Sequence, residues 1–107
     1  GTAVAPFGVM GGQYQSTGQA NFISNVVDLG HDIQEAMDAP RSFATEGVLQ
    51  VESTFAPETY TALETKGHTL ERLDKATGGS QCVWRDPETG VLQAGSDPRK
   101  DGMAIGY

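Results

Sequence analysis

The sequence contains a single cysteine, Cys82, among its 107 residues. One thiol cannot form a disulfide within the chain, so no internal cross-link is expected. No apolar run approaches the roughly 20 residues of a membrane-spanning helix, so no membrane span is expected. Basic residues are also scarce, because seven Lys and Arg stand against 14 Asp and Glu for a formal net charge of −7. An acidic chain without basic runs repels phosphate backbones, which argues against nucleic-acid binding.

Metal and cofactor sites have little support in the sequence. His31 and His68 are the two histidines, and neither has a second histidine or cysteine at metal-ligand spacing. Cys82 alternates with Trp84 in an apolar segment, which predicts a buried structural thiol. We therefore expect no metal and no cofactor.

The first residues of the chain do not have the pattern of a signal peptide. Gly1 is followed by neither a basic region nor the apolar block of a signal peptide. We therefore interpret the chain, residues 1–107, as a single-domain fragment of a longer protein. The bacterial periplasm and the cytoplasm are both compatible with this composition.

Hydrophobic patterning predicts helices alternating with short strands. Two apolar rows with helical spacing predict a long helix from Ser16 to a stop at Gly30. Asp32 and Glu35 match a capping box at the start of a short second helix. The remaining predicted elements are a helix at 57–66, strands at 2–7, 48–51, 69–73, 81–85 and 91–95, and a hairpin turn at 86–90. This order indicates an α+β fold with helices packed on a mainly antiparallel sheet.

A glycine-rich turn, residues 8–12, lies between the first predicted strand and the long helix. Paired glycines adopt backbone angles closed to other residues and let a ligand approach the amides closely. Amides near a helix start suit an anion or an oxyanion, so Gly11 and Gly12 are the candidate catalytic residues. A plain structural turn explains the same pattern. No Lys-Ser or Lys-Thr follows Gly12, so this is not a phosphate-binding P-loop.

Other polar residues receive structural interpretations. Ser80 follows two glycines but lacks the Gly-x-Ser-x-Gly context of a strained nucleophile, so we expect a loop. Asp97 and Arg99 are predicted to form a turn with an ion pair. Thr2 would become an N-terminal nucleophile only if Gly1 were removed. Because Thr2 opens the strand that leads straight into the glycine turn, we do not assign it this role.

Several segments, taken in order, resemble the C-terminal part of the small subunit of the γ-glutamyltransferase (γ-glutamyltranspeptidase) family. Residues 34–41 look like the family's Glu-Ala-x-x-Ala-Pro-Arg signature. Met10 stands where many members carry Ser-Pro before the glycines, which fits a γ-glutamyltransferase-like branch. The other similar segments are residues 8–12, 67–68, 86–92, 95–99 and 106–107.

The resemblance implies part of a four-layer αββα N-terminal-nucleophile hydrolase that is made as a self-cleaving precursor. In such an enzyme a new N-terminal threonine attacks a γ-glutamyl amide, and the acyl group passes to water or an amine. The family's glycine pair, matched here by Gly11 and Gly12, donates to the oxyanion. The nucleophile and the substrate-gripping residues lie upstream, so we expect this fragment to be inactive alone. Related members act on glutaryl-cephalosporins or poly-γ-glutamate, which leaves the substrate open.

The implied partners are the remainder of the small subunit, the large subunit and a γ-glutamyl small molecule. An uncovered sheet face would also favour self-association of the fragment. Two rival interpretations remain: a stand-alone module that holds a carboxylate or phosphate at Gly11 and Gly12, and a purely structural domain. A reading frame extending far upstream to a self-cleavage site would favour the enzyme, whereas a natural start near Gly1 would favour the binding module.

Overall fold

The computed structural model describes all residues, 1–107. It contains six strands and three α-helices, with a short 3₁₀ turn at Gly12–Tyr14 before the first helix. In chain order the elements are β1 (Phe7–Met10), α1 (Gln15–Val27), α2 (Ile33–Asp38), β2 (Ser42–Thr45), β3 (Val48–Glu52), α3 (Pro57–Thr65), β4 (Leu70–Leu73), β5 (Gly79–Arg85) and β6 (Leu92–Ser96). The predicted α+β class is confirmed. None of the helices combines the length and hydropathy needed to cross a bilayer.

The chain divides into two compact units. Unit 1 comprises residues 1–39 and 78–107, and unit 2 comprises residues 40–77. Each unit contains one three-stranded sheet, in the orders β1-β5-β6 and β2-β3-β4. The interpretation of the chain as one domain stays a prediction.

Unit 1 has an antiparallel sheet with β5 at its centre. Its core is formed by α1, α2 and the side of β5 that carries Cys82, and the ring centroids of Phe7 and Phe22 lie 5.2 Å apart. Burial raises the pKa of the Cys82 thiol, in agreement with the predicted structural role. The buried members of this core are Phe22, Ile33, Ala36, Met37 and Cys82.

Unit 2 has a mixed sheet, because β2 and β3 are antiparallel while β3 and β4 are parallel. The parallel pair is connected through α3, which begins at Pro57 as predicted. The buried carboxylate of Glu52 accepts hydrogen bonds from the amides of Arg41, at 3.0 Å, and Thr77, at 2.8 Å. Glu52 therefore connects the beginning and the end of unit 2.

Two predictions of strand position were wrong. The first strand was expected at residues 2–7 and a turn at residues 8–12, but β1 is Phe7–Met10, so only Gly11 and Gly12 of that segment form the turn. Pro6 has no amide hydrogen for a ladder, although its carbonyl accepts from Val83 at 3.1 Å. Strand β2 was missed altogether. It precedes a tight turn in which both Glu46 and Gly47 have positive φ, the geometry of a primed hairpin turn.

Candidate functional site

The glycine turn connects the end of β1 to the start of α1. Met10, the last residue of β1, pairs with Gly79 of β5. Gly11 then adopts φ 136° and Gly12 φ 59°, both in the region that favours glycine. The 3₁₀ turn starts at Gly12 and α1 at Gln15, so the predicted strand-to-helix position of the glycine pair is confirmed.

The amides of this turn remain available to a ligand. The carbonyls of Gly11 and Gly12 accept hydrogen bonds from the amides of Tyr14 and Gln15. Neither glycine amide donates to a group within the chain, and both glycines are exposed. The arrangement leaves two adjacent N–H donors at a fixed backbone turn.

The start of α1 also lacks the groups that would compete with an anion. No acidic residue lies in its first turn or in the preceding 3₁₀ turn, and no side chain caps either N-terminus. By contrast, α2 is capped by Asp32 and Glu35 in the predicted capping box, and α3 carries Glu58 in its first turn. Because a helix N-terminus carries partial positive charge, the uncapped end of α1 is suited to an anion.

The side chain of Tyr14 packs against the backbone of the turn. Its side chain is 3% exposed and packs against three glycines. A Cβ atom on Gly18 would lie 2.6 Å from the Tyr14 ring, and one on Gly78 would lie 3.0 Å from it. A Cβ on Gly11 would lie 3.3 Å from the Cα of Gly78. Close packing of backbone on an aromatic ring therefore holds the turn in place.

A cleft of about 540 Å³ lies beside the turn in unit 1. Lys100 is its one basic residue, and its aliphatic stem lies over Gly79. Glutamine side chains supply most of the remaining polar lining. The lining residues are Gly8, Val9, Met10, Gln15, Gln19, Gly79, Gln81 and Lys100.

The other sequence candidates lie outside this turn. Ser80 was expected in a loop, but it belongs to β5, where it is 1% exposed and donates its hydroxyl to Asp97 at 2.9 Å. The predicted ion pair exists, since Arg99 Nη1 lies 3.2 Å from Asp97 Oδ1. Thr2 is exposed and precedes the first strand. Histidine, cysteine and carboxylate groups do not gather in threes that could hold a metal ion.

Sequence reasoning missed the link between Ser80 and Asp97, which are 17 positions apart. It also missed the contacts of Arg99 with the carbonyls of Met37 and Ala39, across about 60 positions. No local pattern reports such pairings, because they depend on how β5, α2 and the segment after β6 meet in unit 1.

Comparisons with known proteins agree with this fold. The family model described as gamma-glutamyltranspeptidase matches residues 1–107. The chain is 34% identical over 110 residues to the glutathione hydrolase-like YwrD proenzyme of Bacillus subtilis, covering 94% of this chain and 21% of that protein. It is 32% identical over 113 residues to the oxamate amidohydrolase proenzyme of Klebsiella pneumoniae, covering 97% of this chain and 21% of that protein.

A solved structure also matches nearly the whole chain. The chain matches the cephalosporin acylase of Bacillus halodurans with a TM-score of 0.90 and 42% identity, over 99% of this chain and 21% of that one. The chain therefore belongs to the gamma-glutamyltranspeptidase family, and its α+β fold is part of the N-terminal-nucleophile hydrolase architecture. It spans about a fifth of the length of each of these relatives.

Proposed function

We propose that this chain is the C-terminal part of the small subunit of a γ-glutamyltransferase-like enzyme, in which the amides of Gly11 and Gly12 bind the oxyanion of acyl transfer. One observation carries the proposal: Gly11 and Gly12 are exposed, and their amides, which donate to no group within the chain, stand at the uncapped start of α1. Donors fixed in this way stabilise the charge of a tetrahedral intermediate more than they stabilise a planar carbonyl.

The reaction class follows from what the relatives have in common. Their names describe a glutathione hydrolase-like protein, an oxamate amidohydrolase and a cephalosporin acylase, and two of them are proenzymes. We infer an enzyme that cleaves an amide by passing the acyl group through a covalent intermediate to water or an amine. A γ-glutamyl amide is the proposed acyl donor.

The catalytic nucleophile is proposed to come from the remainder of the small subunit, as the N-terminal threonine that self-cleavage exposes. Its hydroxyl would attack the amide carbonyl, and the amine would leave with the proton as the acyl-enzyme forms. The Gly11 and Gly12 amides would donate to the carbonyl oxygen in both half-reactions. This chain alone lacks that nucleophile and is proposed to be inactive.

The test is the substitution Gly12→Val in the complete enzyme. A side chain at φ 59° strains the turn and shifts the amides. Loss of one oxyanion donor typically lowers the rate about 100- to 1,000-fold, so kcat for γ-glutamyl-p-nitroanilide should fall by at least 100-fold. The matched control is Gly30→Val, because Gly30 has φ 71° and, as at Gly12, a Cβ atom there would meet no other atom within 4 Å.

The control should keep kcat within about threefold of the wild-type value, because Gly30 lies after α1 and away from the turn. Equal rates for the two variants would remove the oxyanion role from Gly12. Full activity of Gly12→Val together with phosphate or carboxylate binding by the isolated chain would favour the stand-alone binding module.

A further inference from the structure

Asp97 is a buried carboxylate that the proposed reaction does not use directly. It is 1% exposed, and each of its oxygens accepts at least two hydrogen bonds. Oδ2 accepts from the amide and hydroxyl of Ser80, at 2.8 and 2.9 Å. Oδ1 accepts from the amide and Nη1 of Arg99, at 2.9 and 3.2 Å. A buried charge with this many donors holds its neighbours in one geometry.

The Ser80 side of this network is connected to the glycine turn through the pairing of β5 with β1 and through Gly78. Ser80 pairs with Val9 and the preceding Gly79 pairs with Met10, so the start of β5 fixes the end of β1. Gly78, one residue earlier, approaches the turn closely, because its Cβ position would lie 2.7 Å from the Met10 carbonyl oxygen. A shift of β5 at Ser80 is therefore transmitted to the backbone that carries the two proposed oxyanion donors.

The Arg99 side is anchored independently to α2. Its guanidinium donates to the carbonyl of Met37 at 2.6 Å and to that of Ala39 at 2.9 Å. These carbonyls lie at the C-terminal end of α2, where a cation is stabilised by the helix dipole. Arg99 is therefore held by the end of α2 in unit 1, and Asp97 connects Arg99 to β5.

We propose that Asp97 is a positioning residue, which holds β5 through Ser80 and thereby fixes the Gly11 and Gly12 amides. The inference rests on the proposed oxyanion role of the turn. It adds Asp97 as a residue that affects the reaction only by positioning the two glycine amides. Misplacement of donors by a fraction of an ångström weakens transition-state binding more than substrate binding. Loss of Asp97 should therefore lower kcat with little change in KM.

Glu52 provides a matched control for a merely structural effect. It is also a buried carboxylate, 4% exposed, and also accepts from two backbone amides. Its partners Arg41 and Thr77 belong to unit 2, whereas the turn belongs to unit 1. Asp97→Asn and Glu52→Gln remove the same charge from the same kind of site.

The experiment compares Asp97→Asn, Ser80→Ala, Glu52→Gln and Gly12→Val in the complete enzyme. Steady-state kcat and KM are measured with γ-glutamyl-p-nitroanilide, and hydrogen exchange is measured by mass spectrometry on the peptide spanning Phe7–Gln15. We expect Asp97→Asn to lower kcat about tenfold with KM within about twofold, and to speed exchange in that peptide. Ser80→Ala should give a smaller change of the same kind, because Asp97 keeps its bond to the Ser80 amide.

Glu52→Gln should leave both readouts at their wild-type values, apart from any lower thermal midpoint, because the carboxamide oxygen of Gln can still accept from the Thr77 amide that precedes Gly78. Unchanged exchange in Asp97→Asn, or the same kcat as Glu52→Gln, would overturn the positioning role. The proposed function fails separately if Gly12→Val keeps wild-type kcat. If the enzyme does not turn over this substrate, the exchange measurement still decides whether Asp97 fixes the turn.

Discussion

Gly18 shows how a missing side chain positions the candidate site. A Cβ atom there would lie 2.6 Å from the ring of Tyr14 and 2.7 Å from the Val9 side chain. The glycine therefore lets α1 pack directly on β1 and on the aromatic ring beneath the turn. Gly95 has the corresponding role at α2, since its Cβ position would lie 3.1 Å from the sulfur of Met37.

The substitution Gly18→Ala should destabilise the protein. The added methyl group overpacks a site with no space, which typically costs about 1–3 kcal/mol. The matched control is Gly8→Ala, because no atom lies within 4 Å of that Cβ position. The denaturation midpoint of the complete protein should fall for Gly18→Ala and stay level or rise for Gly8→Ala. A stable Gly18→Ala variant would mean that α1 and β1 are not packed this closely.

A group of interacting residues can be predicted from the sequence when its members lie close together along the chain. Gly11 and Gly12 are recognisable because paired glycines before a helix form a local pattern. Asp97 and Arg99 are neighbours, and their ion pair is predicted from that turn. The partner of Asp97 at Ser80 is not predictable, because it depends on the register of β5 with β6 rather than on local sequence.

The turn between β5 and β6 is organised by Asp86. Its carboxylate accepts from the amides of Thr89, at 2.7 Å, and Glu88, at 2.9 Å. Hydrogen bonds from Thr89 and then Glu88 hold the pKa of Asp86 below its ordinary value of 3.8. The five-residue hairpin signal in the sequence is therefore explained by one side chain that binds its own turn.

This shift has a consequence for pH dependence. Because the folded-state pKa is lowered, the stabilisation is fully present above the unfolded value and is lost as the pH falls through the folded value. We expect the Asp86 carboxyl to titrate below pH 3.8 in a carbon-detected NMR titration. In the Thr89→Ala variant, which keeps the amide bonds but loses the threonine hydroxyl, the midpoint should move upward. A wild-type midpoint at or above 3.8 would contradict the described turn.

Helices were easier to predict than strands. The capping box of α2 and Pro57 at the start of α3 are local signals, and both elements begin where expected. Strand β2 carries no strong alternation, so only its pairing with β3 defines it. Strand β1 begins later than predicted because Pro6 interrupts the ladder, although the apolar pattern continues through it.

At the scale of the whole chain, one face of the unit 1 sheet carries exposed apolar side chains. The opposite face packs on α1 and α2. Met10 is 53% exposed, Val83 39% and Leu92 66%. Val83 pairs with Ala94 and Arg85 with Leu92, so the exposed apolar groups of β5 and β6 share this face. Such a surface favours association, because burial contributes about 25 cal/mol per Å² of apolar area.

The isolated chain should therefore self-associate. Light scattering at increasing concentration should show a dimer or larger species. The double variant Val83→Lys and Leu92→Lys should shift the chain toward monomer, because it places charge on that face. A monodisperse wild-type monomer at high concentration would contradict this expectation.

The binding of an oxyanion by the Gly11 and Gly12 amides can be seen in a crystal structure of the complete enzyme with a tetrahedral boronate adduct. A boronate oxygen occupies the position of the oxyanion after attack by the nucleophile. We expect this oxygen to lie about 2.7–3.1 Å from both amide nitrogens. An adduct whose oxygens all bind elsewhere, with the two glycine amides facing water, would contradict it.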